Sequence, residues 1–229
     1  MLLPWLKRNT RQLVAWSLIL ALGMPLALVV LYRFVAPPVT PLMLIRMAQG
    51  EGLQRRWVSV EAVSPQLMRA VVASEDATFC SHHGFDWQAI DHAIDRYEEG
   101  GRVLGASTIS MQTAKNVFLW PGRNFLRKGL EAGLTVLIEA IWGKRRIMEV
   151  YLNVIEWGHG IYGAEAAANH YFHKPAASLS RREAAALAAV LPSPLRWSPV
   201  RPGARVEGRI RLIEARMGHA AVWPGKVCP

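Results

Sequence analysis

The feature that most constrains this chain is a long apolar run near its N-terminus, from Leu13 to Val35. The run has no charged residue before Arg33, and about 20 apolar residues suffice to cross the hydrocarbon core of a bilayer. Pro25 would kink such a helix, which membrane helices tolerate. We therefore predict one transmembrane helix over residues 13–35.

A cleaved secretory signal is the main alternative to a membrane anchor. Signal peptides usually have an apolar region of roughly 7–15 residues that ends in small residues at the cleavage site. The present run is longer, and it ends in bulky residues such as Tyr32 and Phe34. These differences favour an uncleaved anchor.

Basic residues flank the apolar run mainly on its N-terminal side, as Lys7, Arg8 and Arg11. By the positive-inside rule, residues 1–12 stay in the cytoplasm. Residues 36–229 then lie across the membrane, which in a bacterium with two membranes is the periplasm. They suffice for one medium catalytic domain.

The chain carries a net charge of +10, from 27 Lys and Arg against 17 Asp and Glu. Such a surplus favours a polyanion or an anionic membrane surface as partner. An exported domain seldom meets nucleic acid, so we expect no nucleic-acid partner. One basic set near the C-terminus is interpreted as a solvated face: Arg201, Arg205, Arg209, Arg211 and Arg216.

The two cysteines, Cys80 and Cys228, form no CxxC pair and no His/Cys ligand pattern, which argues against a structural zinc site. The adjacent His82 and His83 diverge on any regular element and have no third ligand at useful spacing. An exported location permits a disulfide. The sequence leaves open whether the two distant cysteines pair.

Beyond residue 36 the pattern predicts a mainly α-helical domain. Ser64 followed by Pro65 is typical of a helix start, and apolar residues recur from there to Ser74. No period-two run predicts a strand. Further helices are predicted over Leu42–Gln54, Asp86–Glu99, Ser107–Phe118, Arg127–Ile141, Lys144–Asn153, Ala164–Tyr171 and Arg181–Val190.

A first polar cluster, SEDATFCSHHGFD, follows an apolar helix and begins at Ser74. Glu75 and Asp76 lie where this helix ends, next to apolar packing. Burial of that kind raises the pKa of a carboxyl and suits it to proton transfer. A solvated loop after a helix explains the same pattern, so this cluster alone does not decide.

A second cluster, GASTISMQTAKN, opens a predicted helix with Ser107 as its expected N-cap. Hydroxyl, amide and ammonium groups that converge at a helix start suit a phosphate or pyrophosphate. An ordinary amphipathic helix fits the spacing nearly as well. The groups that share one helical stripe are Thr108, Gln112, Lys115 and Asn116.

A third cluster, PGRNFLRKGLEAGL, places three cations ahead of one carboxylate, as Arg123, Arg127, Lys128 and Glu131. Glu131 is one helical turn from both Arg127 and Lys128. A surface ion pair would explain the spacing in isolation, but the helix that follows is strongly apolar, which favours the wall of a cleft. A fourth cluster, KRRIMEVYLNVIEWGHGIYG, is interpreted as scaffold, including Tyr151.

In this order, the segments EDATFCSHHG, GASTISMQTAKN, RKGLE and KRRIMEVYLN closely resemble the motifs of the peptidoglycan glycosyltransferases of family 51. Within the family the chain is most similar to the monofunctional biosynthetic transglycosylases, over residues 60–199. The resemblance implies a lysozyme-like, mainly α-helical fold with its cleft beside the bacterial inner membrane. It also implies glycosyl transfer from lipid II, a disaccharide-pentapeptide on undecaprenyl pyrophosphate.

Residue roles follow from the same resemblance. Glu75 matches the general base that acts on the 4-hydroxyl of the acceptor sugar, and Glu131 matches the second glutamate, at the pyrophosphate end of the donor. Thr108 is added to the expected substrate-binding residues, because it shares one helical stripe with Gln112 and Lys115. By motif position, phosphate contacts fall on Ser107, Lys115, Arg123, Arg127 and Lys128, while Gln112 and Asn116 shape the donor site.

The resemblance also bounds what else is expected. Members of the family commonly respond to divalent cations such as Mg²⁺ or Mn²⁺, but no ligand set is evident here. The expected partners are lipid II, the growing glycan chain and the inner membrane, with cell-wall synthesis or division proteins left open. No SxxK, SxN or KTG box occurs in the 229 residues, so no transpeptidase activity is expected.

Two rival functions share some of these features. A lytic enzyme would also place an acidic residue in a cleft, but a neutral glycan does not require the cations around Glu131. A non-catalytic scaffold would not need both glutamates and the basic residues intact.

Overall fold

The computed structural model describes residues 23–100, 106–122, 124–220 and 227–228, together with Thr10, Gln12 and Trp16. The chain divides into two compact units, Met1–Ala36 and Pro37–Pro229. Residues 23–32 of the first unit are helical.

The predicted transmembrane segment is only partly covered, because residues 13–15 and 17–22 lie outside the described residues. Within the described ranges, no helix is long and apolar enough to cross a membrane. The transmembrane helix therefore stays a prediction.

The second unit is mainly α-helical, as predicted. Three short 3₁₀ helices accompany the α-helices, at Val60–Ala62, Ala176–Ser178 and Met217–His219. The α-helices described in this unit are α1 (Pro41–Ala48), α2 (Pro65–Glu75), α3 (Trp87–Glu98), α4 (Ile109–Phe118), α5 (Phe125–Val154), α6 (Ala164–Phe172), α7 (Arg181–Val190) and α8 (Ala204–Arg216).

A small sheet lies beside these helices, which corrects the prediction that strands are lacking. Its strands are β1 (Gln54–Arg55), β2 (Glu156–Gly158) and β3 (Ile161–Tyr162), in the order β1-β3-β2. β3 pairs parallel to β1 and antiparallel to β2. Strands of two or three residues are too short for a period-two pattern, so the sequence did not show them.

The starts of two helices follow from capping. Ser64 caps α2 by accepting a hydrogen bond from Gln66 N, with Pro65 at the first helical position, as predicted. For α4 the expected cap, Ser107, is wrong by one residue. Thr108 caps this helix, because its hydroxyl accepts from Met111 N at 3.1 Å.

The predicted break between the helices Arg127–Ile141 and Lys144–Asn153 is confirmed, because Gly143 has a non-helical backbone within the range of α5, with φ at 73°. Only glycine adopts this backbone conformation readily. Helix α1 ends at Ala48 rather than Gln54, and α8 was not predicted.

Three packing contacts position the site. Helix α7 is an almost wholly buried alanine and leucine helix that packs against both α2 and α8, and α4 packs along α5. Because small side chains allow close approach of helices, α7 brings the C-terminal end of α2 near α8. Residues far apart in sequence therefore surround Glu75, the last residue of α2.

Cys80 and Cys228 form a disulfide, which answers the question that the sequence left open. Their Cα atoms lie 5.4 Å apart although 148 positions separate them in the chain. The bond joins the loop after α2 to the C-terminal region.

Candidate active site

Glu75 lies at the end of α2 with only 14% of its side chain exposed. Oε2 accepts a hydrogen bond from Gln112 Nε2 at 3.1 Å, and Oε1 accepts one from Arg209 Nη2 at 3.2 Å. Burial raises the pKa of Glu75 above its usual range, against the opposing effects of Gln112 and Arg209. The raised pKa was the expectation for a carboxylate at this helix end.

Asp76, the next residue, has a different environment. Its Oδ1 and Oδ2 lie 2.9 and 3.0 Å from His82 Nε2, and Oδ2 also accepts from Ile109 N at 2.9 Å. Gly84 N donates to His82 Nδ1, so Nε2 carries the proton that faces Asp76. Asp76 thus ties the loop after α2 to the start of α4, and Glu75 is the carboxylate left for chemistry.

Gln112 is held in one orientation by a residue of α5. The Tyr151 hydroxyl donates to Gln112 Oε1 at 3.2 Å, which turns the amide nitrogen toward Glu75. Tyr151 is buried, and its burial raises the pKa of the phenol well above its usual range, so the hydroxyl keeps its proton. Tyr151 was interpreted as part of a scaffold motif, and its contact with Gln112 is not evident from the spacing within either helix.

Two other polar residues of that motif, Glu149 and Asn153, are scaffold, as interpreted. Glu149 accepts a hydrogen bond from Val60 N at 3.2 Å. The Asn153 amide accepts from Val58 N and donates to Val58 O, each at 2.9 Å. Both side chains therefore hold the segment before α2 in place.

Glu131 lies in the first turns of α5 between two cations, as its spacing indicated. Arg127 Nη1 donates to Oε2, and Lys128 Nζ donates to Oε1 at 2.6 Å. Lys128 also donates to Ser107 Oγ at 3.4 Å, which links this cluster to the start of α4. Arg127 Nε is buried without a hydrogen-bond partner among the described residues.

A cleft of about 520 Å³ lies in front of this cluster. Partial burial lowers the pKa of Lys115, and Glu131 opposes that effect. An anion that enters would meet several donors and would relieve the buried, unpartnered Arg127 nitrogen. The predicted residues that line the cleft are Ser107, Gln112, Lys115, Asn116, Arg127, Lys128 and Glu131, and α1 and β2 add Arg46 and Glu156.

A smaller hollow of about 240 Å³ lies beside Glu75 and Thr108. Ser107 lines both the cleft and this hollow, so the two adjoin. Thr108 is buried, and its hydroxyl donates to Gly84 O at 2.6 Å as well as capping α4. Arg123, the remaining predicted site residue, lies outside the described residues.

Helix α8 supplies residues that the sequence analysis missed. Arg209 pairs with Glu75, and Arg216 lines the hollow beside it. The interpretation of the C-terminal arginines as a solvated face is therefore wrong for Arg209, whereas Arg216 is exposed as interpreted although it also lines the hollow. No local pattern could show it, because Arg209 and Glu75 are 134 positions apart.

The described residues offer no cation site. No three His, Cys, Asp or Glu side chains among them come close enough to hold a metal ion together. A divalent cation such as Mg²⁺ or Mn²⁺ therefore has no ligand set of these side chains within the described part of the chain.

The two adjoining hollows suit different halves of one reaction. A carboxylate with a raised pKa is suited to accept a proton from a hydroxyl. A cation-lined cleft stabilises the negative charge of a departing anion. Together they define an enzyme that transfers a group from an anionic leaving group to a hydroxyl.

Comparison with known proteins agrees with this class. A family described as Transglycosylase matches residues 43–218. A protein of Rhodospirillum centenum named biosynthetic peptidoglycan transglycosylase is 60% identical over 213 residues, covering 93% of this chain and 90% of the relative. Relatives of the same name in Caulobacter vibrioides and Pseudomonas putida are 55% and 49% identical, covering 90% and 95% of this chain and 90% and 93% of the relatives.

The chain therefore belongs to the transglycosylase family, and its catalytic domain is a glycosyltransferase domain. The matched span contains both glutamates and Arg209. The resemblance drawn from the four motifs is thus confirmed.

Proposed function

We propose that this enzyme polymerises the glycan strands of peptidoglycan from lipid II and releases undecaprenyl pyrophosphate. The names of the relatives support peptidoglycan synthesis. The observation that carries the proposal is the pair of adjoining hollows, one beside Glu75 and the other lined by cations around Glu131.

In the proposed reaction Glu75 acts as the general base. The 4-hydroxyl of the acceptor sugar enters the hollow and donates its proton to a Glu75 oxygen as the hydroxyl oxygen attacks. Gln112 and Arg209 hold the carboxylate in place and favour its ionised form, so a buried carboxyl remains able to accept a proton.

The donor occupies the larger cleft in this proposal. As the acceptor oxygen bonds to C1 of the donor sugar, the bond from C1 to the phosphate oxygen breaks and pyrophosphate leaves with the electron pair. Lys115, Arg127 and Lys128 stabilise the developing charge, so no strong general acid is needed. Direct displacement converts the α-linked donor into a β-linked product.

Ser107 and Asn116 also line this cleft and are proposed as donor contacts. Thr108 is proposed to act indirectly. Its hydroxyl donates a hydrogen bond to Gly84 O and so holds the loop that carries Gly84. Arg123 is proposed as a phosphate contact on its motif position alone.

We also propose a single-pass arrangement, with residues 1–12 cytoplasmic, residues 13–35 across the inner membrane and residues 36–229 periplasmic. Lipid II diffuses in the bilayer, so a tether keeps the enzyme at the surface where its substrate lies. The Cys80–Cys228 disulfide supports this side of the membrane, because disulfides persist in oxidising compartments. The lysozyme-like architecture stays a prediction.

The test is to incubate the full-length protein in detergent micelles with purified lipid II. We expect glycan polymer and released undecaprenyl pyrophosphate from the wild type, and neither from Glu75→Gln. Digestion of finished sacculi without polymer formation would instead identify a lytic enzyme. The proposal assigns polymerisation alone, so peptide cross-links in the product would also contradict it.

A further inference from the structure

The wall of the large cleft includes one cation that the proposed reaction does not use. Arg46, on α1, lines the cleft beside Glu156 of β2, and 23% of its side chain is exposed. The other described cations of the lining belong to α4 and α5, as Lys115, Arg127 and Lys128. Cations from two separate parts of the fold therefore border one cleft.

Glu156 holds the Arg46 guanidinium in a fixed orientation. Arg46 Nε and Nη2 donate to the two carboxylate oxygens at 3.1 and 3.4 Å, and Nη1 donates to Gln49 Oε1 at 3.2 Å. The Tyr162 hydroxyl donates to Glu156 Oε1 at 3.3 Å, which fixes the carboxylate in turn. Because a guanidinium has five N–H groups, one on each terminal nitrogen forms no hydrogen bond within the described part of the chain. Arg46 can therefore donate to an anion in the cleft without leaving Glu156.

The charge of the cleft matches that of a diphosphate. Its described lining contains four cations and two carboxylates, Glu131 and Glu156, which is a surplus of two positive charges. A diphosphate that joins a sugar to a lipid has two negative charges, one on each phosphate. The cations of α4 and α5 are already proposed to stabilise the charge at the bond that breaks, which leaves Arg46 for the second phosphate.

The order of residues along α1 matches the order of groups in such a donor. Leu42 lies one helical turn before Arg46, and both side chains line the cleft. Leu42 is also the nearer of the two, along the chain, to Val35, the last residue of the proposed membrane segment. A lipid-linked donor consists of a sugar, a first phosphate, a second phosphate and an apolar chain that enters the bilayer. Arg46 and then Leu42 suit the last two groups in that order.

We infer that Arg46 binds the second phosphate, the one that carries the lipid, and so makes the enzyme select a diphosphate-linked donor over a monophosphate-linked one. The inference rests on the proposed function, because it concerns the donor of that reaction. A monophosphate occupies only one of the two groups of cations and loses a charge-assisted contact. The membrane-proximal helix α1 thus takes part in the choice of donor.

The first test measures how strongly two prenyl phosphates inhibit polymerisation of lipid II by the full-length protein in detergent micelles. Farnesyl diphosphate has the second phosphate, and farnesyl monophosphate lacks it. We expect the diphosphate to inhibit the wild type at a concentration lower by roughly tenfold or more, the order of one hydrogen bond to a charged group. Arg46→Gln should remove most of this preference. An undiminished preference in the variant would overturn the inference.

A double variant separates a phosphate contact from a change in the charge of Glu156. Arg46→Gln alone leaves Glu156 without its cation, so repulsion by this carboxylate would also weaken binding of a diphosphate. Arg46→Gln combined with Glu156→Gln removes both charges and leaves no unpaired carboxylate to destabilise the fold. We expect the double variant to remain without the preference. Restoration of the preference there would show that Arg46 only neutralises Glu156, and would contradict the assigned contact.

Arg145→Gln is the matched control. Arg145 also pairs with a glutamate that is distant in sequence, Glu61, but it lines neither the cleft nor the hollow beside Glu75. This variant should keep the wild-type preference for the diphosphate. Thermal midpoints of all variants show whether each protein is folded under the assay conditions.

The outcomes also separate this inference from the proposed function. If the wild type makes no polymer from lipid II, the proposed function fails and the inference fails with it. If the wild type polymerises and Arg46→Gln keeps the full preference for the diphosphate, only the role of Arg46 is wrong.

Discussion

Glu75 and Glu131 are both largely buried acidic residues of one domain, yet their neighbours differ. The oxygens of Glu75 face an amide and one guanidinium at 3.1 and 3.2 Å, and burial raises its pKa. The oxygens of Glu131 face a guanidinium and an ammonium, and only 4% of its side chain is exposed. Glu75 therefore contacts one cation, whereas Glu131 lies between two.

The two environments suit the two carboxylates to different tasks. A carboxylate whose oxygens each bond to a cation holds those cations in position. A carboxylate that is desolvated and only lightly bonded can change its protonation state during a reaction. The comparison therefore supports the proposed roles, in which Glu75 acts on the acceptor hydroxyl and Glu131 organises the donor cleft.

Replacement of Glu75 should have the largest effect on activity. We expect Glu75→Gln to lower the polymerisation rate by roughly 10²–10⁴-fold, the usual contribution of a general base. The variant should keep its fold, because Gln can still hydrogen-bond at this site. Initial rates with lipid II and the thermal midpoint measure the two effects.

The matched control is Glu61→Gln, which removes a half-exposed carboxylate paired with Arg145. Its activity should equal that of the wild type. A Glu75→Gln enzyme with near-normal activity would remove Glu75 from the role of base.

Replacement of Glu131, the carboxylate between two cations, should lower stability more than replacement of Glu75 does, and should lower activity less. Glu131→Gln leaves the Arg127 charge buried with a poorer partner, and breaking a buried ion pair costs about 3–5 kcal/mol. We expect a marked fall in thermal midpoint together with a fall in activity of roughly 10–100-fold, since a displaced cation no longer stabilises the leaving group.

Lys128→Ala sharpens this result, because 46% of the Lys128 side chain is exposed. It should weaken activity and raise KM for lipid II while leaving the thermal midpoint nearly unchanged. An unaltered midpoint in Glu131→Gln would show that the buried pair does not organise the cleft.

Arg209 controls how readily Glu75 stays ionised. Because the guanidinium favours the charged carboxylate, Arg209→Gln should raise the pKa of Glu75 further. A base acts only when ionised, so the acid side of the profile of kcat/KM against pH should move to higher pH. The activity of the variant should recover at a pH above the raised pKa of Glu75.

Arg211→Gln is the control on the same helix, because Arg211 is exposed. A pH profile that stays in place in Arg209→Gln would leave Arg209 with a structural role alone.

The smallest expected effect on activity comes from removal of the Tyr151 hydroxyl, which donates a hydrogen bond to Gln112. Tyr151→Phe removes the hydrogen bond that orients the Gln112 amide toward Glu75, a contact worth about 1 kcal/mol, or roughly fivefold in rate. Tyr171→Phe removes a hydroxyl that bonds to Trp157 O away from the site, and should leave the rate unchanged. Equal rates in the two variants would separate Tyr151 from catalysis.

The sequence predicted most of the helical framework, because helix starts and stops are local signals. Helix α7 has the predicted bounds, Arg181–Val190, since Ser180 and Glu183 form a capping box at its start and Pro192 follows its end. The pairing of Glu131 with Arg127 and Lys128 was also predictable, because one helical turn separates the partners.

The rest depends on contacts between distant segments. Arg209 reaches Glu75 because α2, α7 and α8 pack against one another. The orientation of Gln112 by Tyr151 likewise joins two helices, and a strand of two residues exists only when its partner is in place. No spacing within one element carries such information.

The disulfide has a consequence for the order in which the enzyme matures. In the export that we propose, the chain emerges N-terminus first, so Cys80 leaves the translocation channel long before Cys228, from which 148 positions separate it. Oxidation takes seconds to hours depending on the available oxidant. We expect newly exported chains to pass through a stage with a free thiol beside the first motif, which pulse labelling followed by thiol alkylation would detect. Synthesis of the cell wall by this enzyme would then depend on the oxidising machinery of its compartment.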